Sequence, residues 1–321
     1  MGVTRFGQRT YWHLLELGQV PSTYEVASSN LHYYPRLGFA VRTPIADWYR
    51  RHQSESPFQA DDWERFRDPR ATTYRSYVAL QRDQEAYVEG VLRHAHRGST
   101  DVEPEWLDGL SRTLAPLRYP CHGLMMAASY LGSMAPSGRI TIAAAFQAGD
   151  EIRRVHRLAL RMHTLRLRSP TFGARAREIW EDDPAWQPLR ELIERLLVTY
   201  DWGECFAALN LAIKPALDEL IVGAFADRAW SAGDTVLASL LRALGDDSRW
   251  HEAWSRALAA TAIEQRADNR AVLAHWIDVW RPRADAAVAA LAPLLSDGGA
   301  IASTIARRDA ALAACGLEAA R

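Results

Sequence analysis

The longest regular feature of the sequence is a helical spacing of apolar residues, which recur every three or four positions from Thr72 almost to the end of the chain. Alternation of apolar and polar residues, the mark of a strand, is nearly absent. In the first helical segment one face carries Tyr74, Tyr77, Val78, Gln81, Glu85, Val88 and Leu92. The pattern predicts an all-α fold, with a helical domain over residues 71–296.

Capping and breaking residues divide this domain into helices in series. Ser137 is a plausible N-cap of a helix of roughly 30 residues that ends near Pro170. Asp201 can cap another long helix, and Pro215 inside it should distort it because proline removes a backbone hydrogen bond. No repeat of 34 or 40 residues indicates a solenoid. We therefore expect a helical bundle.

Residues 1–70 read as an irregular arm, because prolines interrupt them and no apolar pattern runs the length of a full helix. The arm is rich in aromatic rings, which bury large areas and seek a surface to lie on. We expect the arm to lie on another chain; packing on its own helical body is the alternative. The residues predicted to contact partners are Trp12, Tyr33, Tyr34, Trp48, Tyr49, Trp63 and Phe66. Residues 297–321 are predicted to form a C-terminal helix and tail.

Charge and cysteine content exclude several classes of protein. The 38 basic and 39 acidic residues nearly cancel, so neither nucleic acid nor an anionic membrane surface is an expected partner. The three cysteines lie far apart without a CxxC motif, which favours a reducing cytoplasm over a disulfide framework or a zinc site. The longest apolar stretch is broken at Pro136 and Arg139, so we expect no membrane span. Lys214 is the only lysine, which coding bias explains most simply.

Bundles of this kind can hold two iron ions between a Glu on each of two helices and a Glu-x-x-His motif on each of the other two. None of the ten histidines follows an acid by three positions, so the motif is absent. Two segments look like altered copies, DEIRR at 150–154 and DDSRW at 246–250. The degenerate positions are Glu151, Arg154, Asp247 and Trp250. We expect Arg154 to repel a metal and to pair with Glu151 or Asp247, and Trp250 to fill the remaining volume.

Two other interpretations stay open at this point. The chain could hold its own di-iron site with carboxylates alone, through Glu85, Glu151, Glu219 and Asp247. It could also be a helical adaptor unrelated to oxygen chemistry. Motifs for nucleophilic, phosphoryl and hydride chemistry are absent, since the sequence contains no GxSxG, GxxxxGK[ST] or GxGxxG after a strand.

Several long segments carry a family resemblance over about residues 8–295. Examples are LHYYPRLGF, DWYRRHQSESPFQADDWERFRDP, TYRSYVALQRDQEAYV, LAPLRYPCHGLMMAASYLGSMAP and DNRAVLAHWIDVWRPRAD. They resemble the β subunit of the hydroxylase component of bacterial multicomponent di-iron monooxygenases, and are most similar to the toluene and alkene branch.

The resemblance implies a ferritin-like, non-catalytic subunit that scaffolds a catalytic α subunit. It implies a two-fold heterohexamer with α and γ subunits, and transient binding of an effector protein, a ferredoxin and a reductase. It places the di-iron centre in α, with no cofactor in this chain. The complex would hydroxylate or epoxidise an aromatic or alkene hydrocarbon with O2 and NADH, and the isolated chain would be inactive.

Overall fold

The structure is a computed structural model that describes Leu14 and residues 18–29, 43–95, 102–296 and 300–317. Within these ranges every regular element is helical, as the periodicity predicts. The α-helices are α1 (Thr23–Ser28), α2 (Pro44–Tyr49), α3 (Tyr74–Ala95), α4 (Pro104–Thr113), α5 (Arg118–Met134), α6 (Gly138–Arg166), α7 (Ala176–Asp182), α8 (Gln187–Leu197), α9 (Trp202–Phe206), α10 (Lys214–Asp218), α11 (Phe225–Ser231), α12 (Thr235–Ala243), α13 (Gly245–Gln265), α14 (Asn269–Leu295) and α15 (Ala300–Ala313).

The predicted caps are confirmed. The Ser137 hydroxyl accepts the amide of Arg139 at the start of α6, and the Asp201 carboxylate accepts the amides of Gly203 and Glu204 at the start of α9. Helix α6 ends at Arg166, a few residues before Pro170. Helix α12 was not predicted, although Asp234 caps it by accepting the amide of Leu237.

Helices α9, α10 and α11 form one continuous helical run that contains two π-helical segments, Ala207–Ile213 and Glu219–Ala224. The distortion expected at Pro215 takes this form, since Pro215 is the second residue of α10, between the two segments. A π-helical turn accommodates extra residues and shifts the positions of the side chains that follow it. Here the two segments bracket α10, which carries Lys214 and Asp218 into the centre of the molecule.

The described part of the arm packs on its own helical domain, as the alternative had it, while contact of the arm with another chain stays a prediction. Phe58 and Phe66 are fully buried in the main hydrophobic core. Phe58 stacks on Phe206, and Phe66 meets Trp254 edge to face. The prediction that Phe66 contacts a partner is therefore wrong, because its ring closes the core of its own chain.

Arg139 fastens the arm to the first turn of α6. Its buried guanidinium donates to the backbone carbonyls of Glu64 and Phe66 and to the Ser29 hydroxyl. Hydrogen bonds from a charged group are stronger than those between neutral groups. None of the helices in the described ranges is both long and apolar enough to cross a bilayer.

Candidate functional site: a buried cluster of charged side chains

Four helices direct charged and polar side chains into the middle of the bundle. Spacings of three and four residues place these groups on the inward face of each helix. Helix α6 supplies Asp150, Glu151, Arg153 and Arg154; α10 supplies Lys214 and Asp218; α13 supplies Asp247, Ser248 and His251; and α3 supplies Tyr77, Gln81 and Glu85. We call these twelve residues the charged cluster.

Lys214 and Arg154 occupy the centre of the charged cluster. The Lys214 ammonium donates to Oε1 of Glu151 and lies 3.0 Å from Oδ2 of Asp218. Nη1 of Arg154 donates to Oδ1 of Asp218 at 2.6 Å and lies 3.5 Å from Oε2 of Glu151. Its Nη2 donates to the Ser248 hydroxyl at 2.6 Å. Two cations and two carboxylates thus form a closed, fully buried set of ion pairs.

A pair of acids lies beside this centre. Nε2 of His251 is 3.1 Å from Oδ2 of Asp150, while the Gln81 amide donates to Oδ1 of Asp150 at 2.7 Å and to Asp247 at 3.3 Å. Asp247 also accepts a hydrogen bond from Arg153. The amide of Gln81 therefore bridges two carboxyl groups that would otherwise repel each other.

Tyr77 connects this pair of acids to the half-buried edge of α3. Its hydroxyl donates to Oδ1 of Asp150 at 2.8 Å, and its ring stacks on Phe146 with centroids 4.4 Å apart. A Cβ at Gly149 would lie 2.6 Å from the Tyr77 oxygen. Glycine at this position is what allows the tyrosine to approach α6.

Burial and charge move the pKa values of the charged cluster in opposite directions. Burial, together with the nearby Asp247, raises the pKa of Asp150 well above its usual range. Burial would raise the pKa of Asp218 too, but the charges of Arg154 and Lys214 outweigh it and hold that pKa very low. Burial and the same two cations lower the pKa of His251, so the imidazole is neutral.

These residues do not fit a pair of metal ions. Lys214 and Arg154 place fixed positive charge between the acids, where a divalent cation would be repelled and not ligated. In the part of the chain that the structure describes, no group of three or more His, Cys, Asp or Glu side chains is arranged to hold a metal ion. Glu85, an acid of the carboxylate-only alternative, accepts a hydrogen bond from Arg157 at 3.1 Å.

The structure agrees with the expectation for two of the four degenerate positions. Glu151 and Arg154 form an ion pair in the charged cluster, as expected. Asp247 pairs with Arg153 and not with Arg154. Trp250 does not fill the centre, which is a correction. Its buried ring packs in the core, and its indole N–H donates to Asp68 of the arm at 2.9 Å. The next residue, His251, faces the acids, because it lies four residues after Asp247 and therefore on the same face of α13.

The remaining predicted contact residues differ in exposure. Trp48 is 37% exposed, and its ring lies against Tyr200 with centroids 4.9 Å apart. Tyr49 and Trp63 are half-buried; Tyr49 donates to the carbonyl of Ser133, and Trp63 meets Trp202 edge to face. Trp12, Tyr33 and Tyr34 lie outside the described residues. That Trp48, Tyr49 and Trp63 contact a partner stays a prediction.

Sequence reasoning missed Lys214, Asp218 and His251. Two signals could have found them. Lys214 and Asp218, like Asp247 and His251, are four residues apart and so share a helical face, although the Glu-x-x-His motif has a spacing of three. The second signal is the single lysine itself, which stands among arginines that fill every other basic position.

Comparison with known proteins gives the family. The sequence profile of the family described as methane/phenol/alkene hydroxylase matches residues 48–266. The chain is 37% identical over 297 residues to the β subunit of the hydroxylase component of the toluene-4-monooxygenase system of Ectopseudomonas mendocina. This match covers 90% of each protein.

Solved structures agree with this match. The structure of toluene 4-monooxygenase with toluene bound in the resting active site superposes with a TM-score of 0.85 at 36% identity, covering 92% of this chain and 99% of that one. Xenon-pressurised phenol hydroxylase from Pseudomonas sp. OX1 has a TM-score of 0.90 at 23% identity, over 99% and 98% of the two chains, and supports the fold alone. The expected ferritin-like, all-α fold and the resemblance read from the sequence are confirmed, and the chain belongs to the methane/phenol/alkene hydroxylase family.

Proposed function

We propose that this chain is the non-catalytic β subunit of a multicomponent monooxygenase hydroxylase, and that it scaffolds a catalytic α subunit. The observation that carries the proposal is the similarity of the chain, over nine-tenths of both lengths, to a protein named as the β subunit of the hydroxylase component of a toluene-4-monooxygenase system. The charged cluster supports the non-catalytic role, because ion pairs fill the centre of the bundle.

The proposed assembly is a two-fold heterohexamer of α, β and γ subunits in the cytoplasm. Its di-iron centre resides in α, and an effector protein, a ferredoxin and a reductase complete electron delivery from NADH. The reaction class is hydroxylation or epoxidation of an aromatic or alkene hydrocarbon with O2. Within this assembly the ion pairs of the charged cluster keep the bundle rigid, which gives α a fixed surface to pack against.

Co-expression of the full chain with α and γ subunits of a toluene-monooxygenase hydroxylase tests the proposal. We expect one stable complex by size-exclusion chromatography, with iron in it and with NADH-dependent oxidation of toluene or an alkene when the electron carriers are added. We expect the chain on its own to contain no iron and to turn over no substrate. A folded, monomeric chain that fails to bind α would contradict the scaffold role, and two irons per isolated chain would favour the carboxylate-only alternative.

A further inference from the structure

Residues 56–66 of the arm cross the helical domain as an extended segment. Residues 56–62 form no regular element, and one 3₁₀ turn follows at Trp63–Arg65. Helices α6, α9, α13 and α14 supply side chains that hold the segment. These side chains contact the backbone of the segment and two of its aromatic rings. This is the contact pattern of a groove that binds an extended peptide.

Two side-chain amides at the junction of α13 and α14 hold the backbone of the segment. Oδ1 of Asn269 accepts the amide of Gln59 at 3.2 Å, and its Nδ2 donates to the carbonyl of Gln59 at 2.7 Å. Gln265 makes the same pair of hydrogen bonds with Asp62, at 2.8 and 3.0 Å. Each amide thus supplies the two bonds that a neighbouring strand would make with one residue. Such pairing recognises an extended chain and leaves selectivity to the side-chain pockets.

Phe58 and Phe66 anchor the segment in the core of the domain. Both rings are fully buried; Phe58 meets Trp202 of α9 with centroids 5.3 Å apart, and Phe66 meets Trp254 of α13 at 6.4 Å. Gly203 of α9 makes room for the first anchor, because a Cβ at this position would lie 2.6 Å from Cβ of Phe58. The groove therefore fits a segment with two aromatic residues eight positions apart.

The segment is joined to α3 through a strained residue. In the ranges that the structure describes, Ala71 is the one residue other than glycine with a positive φ, at 47°. This left-handed conformation is unfavourable for a residue that carries a side chain. Short connections under strain favour the exchange of an element between identical chains, because opening the connection relieves the strain.

We propose that the groove between α6, α9, α13 and α14 is a recognition site for an extended peptide with aromatic residues eight positions apart, and that it accepts residues 56–66 from a second copy of this chain. In a single chain its own segment fills the groove, so exchange requires that segment to leave. The proposal rests on contacts within this chain and is independent of the proposed function.

Two complementary variants of the full chain provide the test. Phe58→Ala with Phe66→Ala keeps the groove and removes the anchors, whereas Gly203→Val keeps the anchors and blocks the groove. Each variant alone should be monomeric, and an equimolar mixture should form a one-to-one dimer, measured by size-exclusion chromatography with light scattering. The matched control adds Phe58→Ala and Phe66→Ala to Gly203→Val; mixed with the first variant, it should form no dimer.

A fluorescent peptide of residues 54–70 gives a second measurement. It should bind the variant with Phe58→Ala and Phe66→Ala saturably, and a peptide carrying the same two substitutions should bind at least about 10-fold more weakly, because the anchors are lost. If that variant is poorly folded alone, the natural peptide should restore its helical circular dichroism, since a ligand of the folded state stabilises it.

Three results would overturn the proposal. The first is a mixture of the two complementary variants that stays monomeric. The second is equal binding of the natural and the substituted peptide. The third is a poorly folded variant whose helical signal the natural peptide does not restore.

Discussion

The indole N–H of Trp250 donates to Oδ1 of Asp68 at 2.9 Å, and both residues are buried. Asp68 also accepts the backbone amides of Arg70 and Thr72, so it forms the turn that leads into α3. One hydrogen bond therefore ties α13 to the junction between the arm and the first long helix. Because the acceptor is a carboxylate, this hydrogen bond is stronger than one between two neutral groups.

Trp250→Phe should lower the free energy of unfolding by about 1.5–3 kcal/mol, the range for a hydrogen bond to a charged group. Urea unfolding followed by far-ultraviolet circular dichroism measures the change. Trp48→Phe is the control, since that ring is partly exposed, and it should cost less. Equal losses in the two variants would contradict a specific role for the contact between Trp250 and Asp68.

Arg154→Met should destabilise the chain by about 3–5 kcal/mol, because it leaves Asp218 and Glu151 short of a partner in a buried site. Arg190→Met removes a more exposed pair with Glu194 and should change stability much less, because solvent screens exposed ion pairs. Both variants lose one arginine, so the comparison isolates burial. A cost for Arg154→Met as small as that of Arg190→Met would show that the charged cluster contributes little.

The buried pair Asp150 and Asp247 predicts that the stability of the folded chain depends on pH. The folded pKa of Asp150 lies above the unfolded value, so its contribution to stability is complete below about pH 3.9 and is lost as pH rises through the folded pKa. Asp150→Asn mimics the protonated acid and removes this titration. Above about pH 4 the unsubstituted chain should lose stability relative to this variant, by at most about 1.4 kcal/mol per pH unit.

Urea unfolding of both proteins at a series of pH values gives that difference directly. Burial lowers the pKa of His251, which contacts Asp150 and adds a slope of opposite sign below about pH 6.5, so the difference between the two proteins is judged above that pH. A difference that stays constant with pH would show that Asp150 titrates normally.

Two of the three thiols should be unreactive in the folded chain. Burial raises the pKa of Cys121 and of Cys205 to about 12, and that of the half-buried Cys315 to about 11. Since the thiolate is the reactive form, a thiol reagent at pH 8 should modify at most Cys315 quickly. All three should react in denaturant. Fast modification of Cys121 or Cys205 under native conditions would mean that the helices around them open readily.

If the chain scaffolds an α subunit, the exposed rings of Trp48 and Tyr200 are candidates for a binding hot spot, because aromatic anchors dominate such interfaces. Trp48→Ala should weaken binding to α by about 2 kcal/mol or more. Val279→Ala, at another exposed apolar residue, should have little effect. Calorimetric titration with purified α measures both. Similar affinities for the two variants would place the interface elsewhere on the chain.

Local signals in the sequence predict the helices well and the charged cluster only in part. Ser137 and Asp201 cap their helices as expected because an N-cap depends on a few neighbouring residues. The centre of the bundle depends on which side chains from four helices meet. The two π-helical segments set the position of Lys214 and Asp218, and no sequence periodicity reports them.

The altered motif at residues 246–250 also shows that spacing in the sequence does not report which side chains meet inside the bundle. Comparison by spacing aligned Trp250 with a metal ligand, yet the helix turns that ring toward Asp68 and turns His251 inward. Phe66 of the arm is a second example. It is an aromatic residue in an irregular segment, and no local signal distinguishes a ring that packs in the core of its own chain from one that contacts another chain.

The burial of the only lysine makes the chain nearly invisible to amine chemistry. Acylating labels and lysine cross-linkers need a free amine, and the side chain of Lys214 is engaged by two carboxylates and 2% exposed. No lysine side chain of the folded protein is therefore open to such reagents. Lysine modification appearing under native conditions would itself report that the bundle has opened.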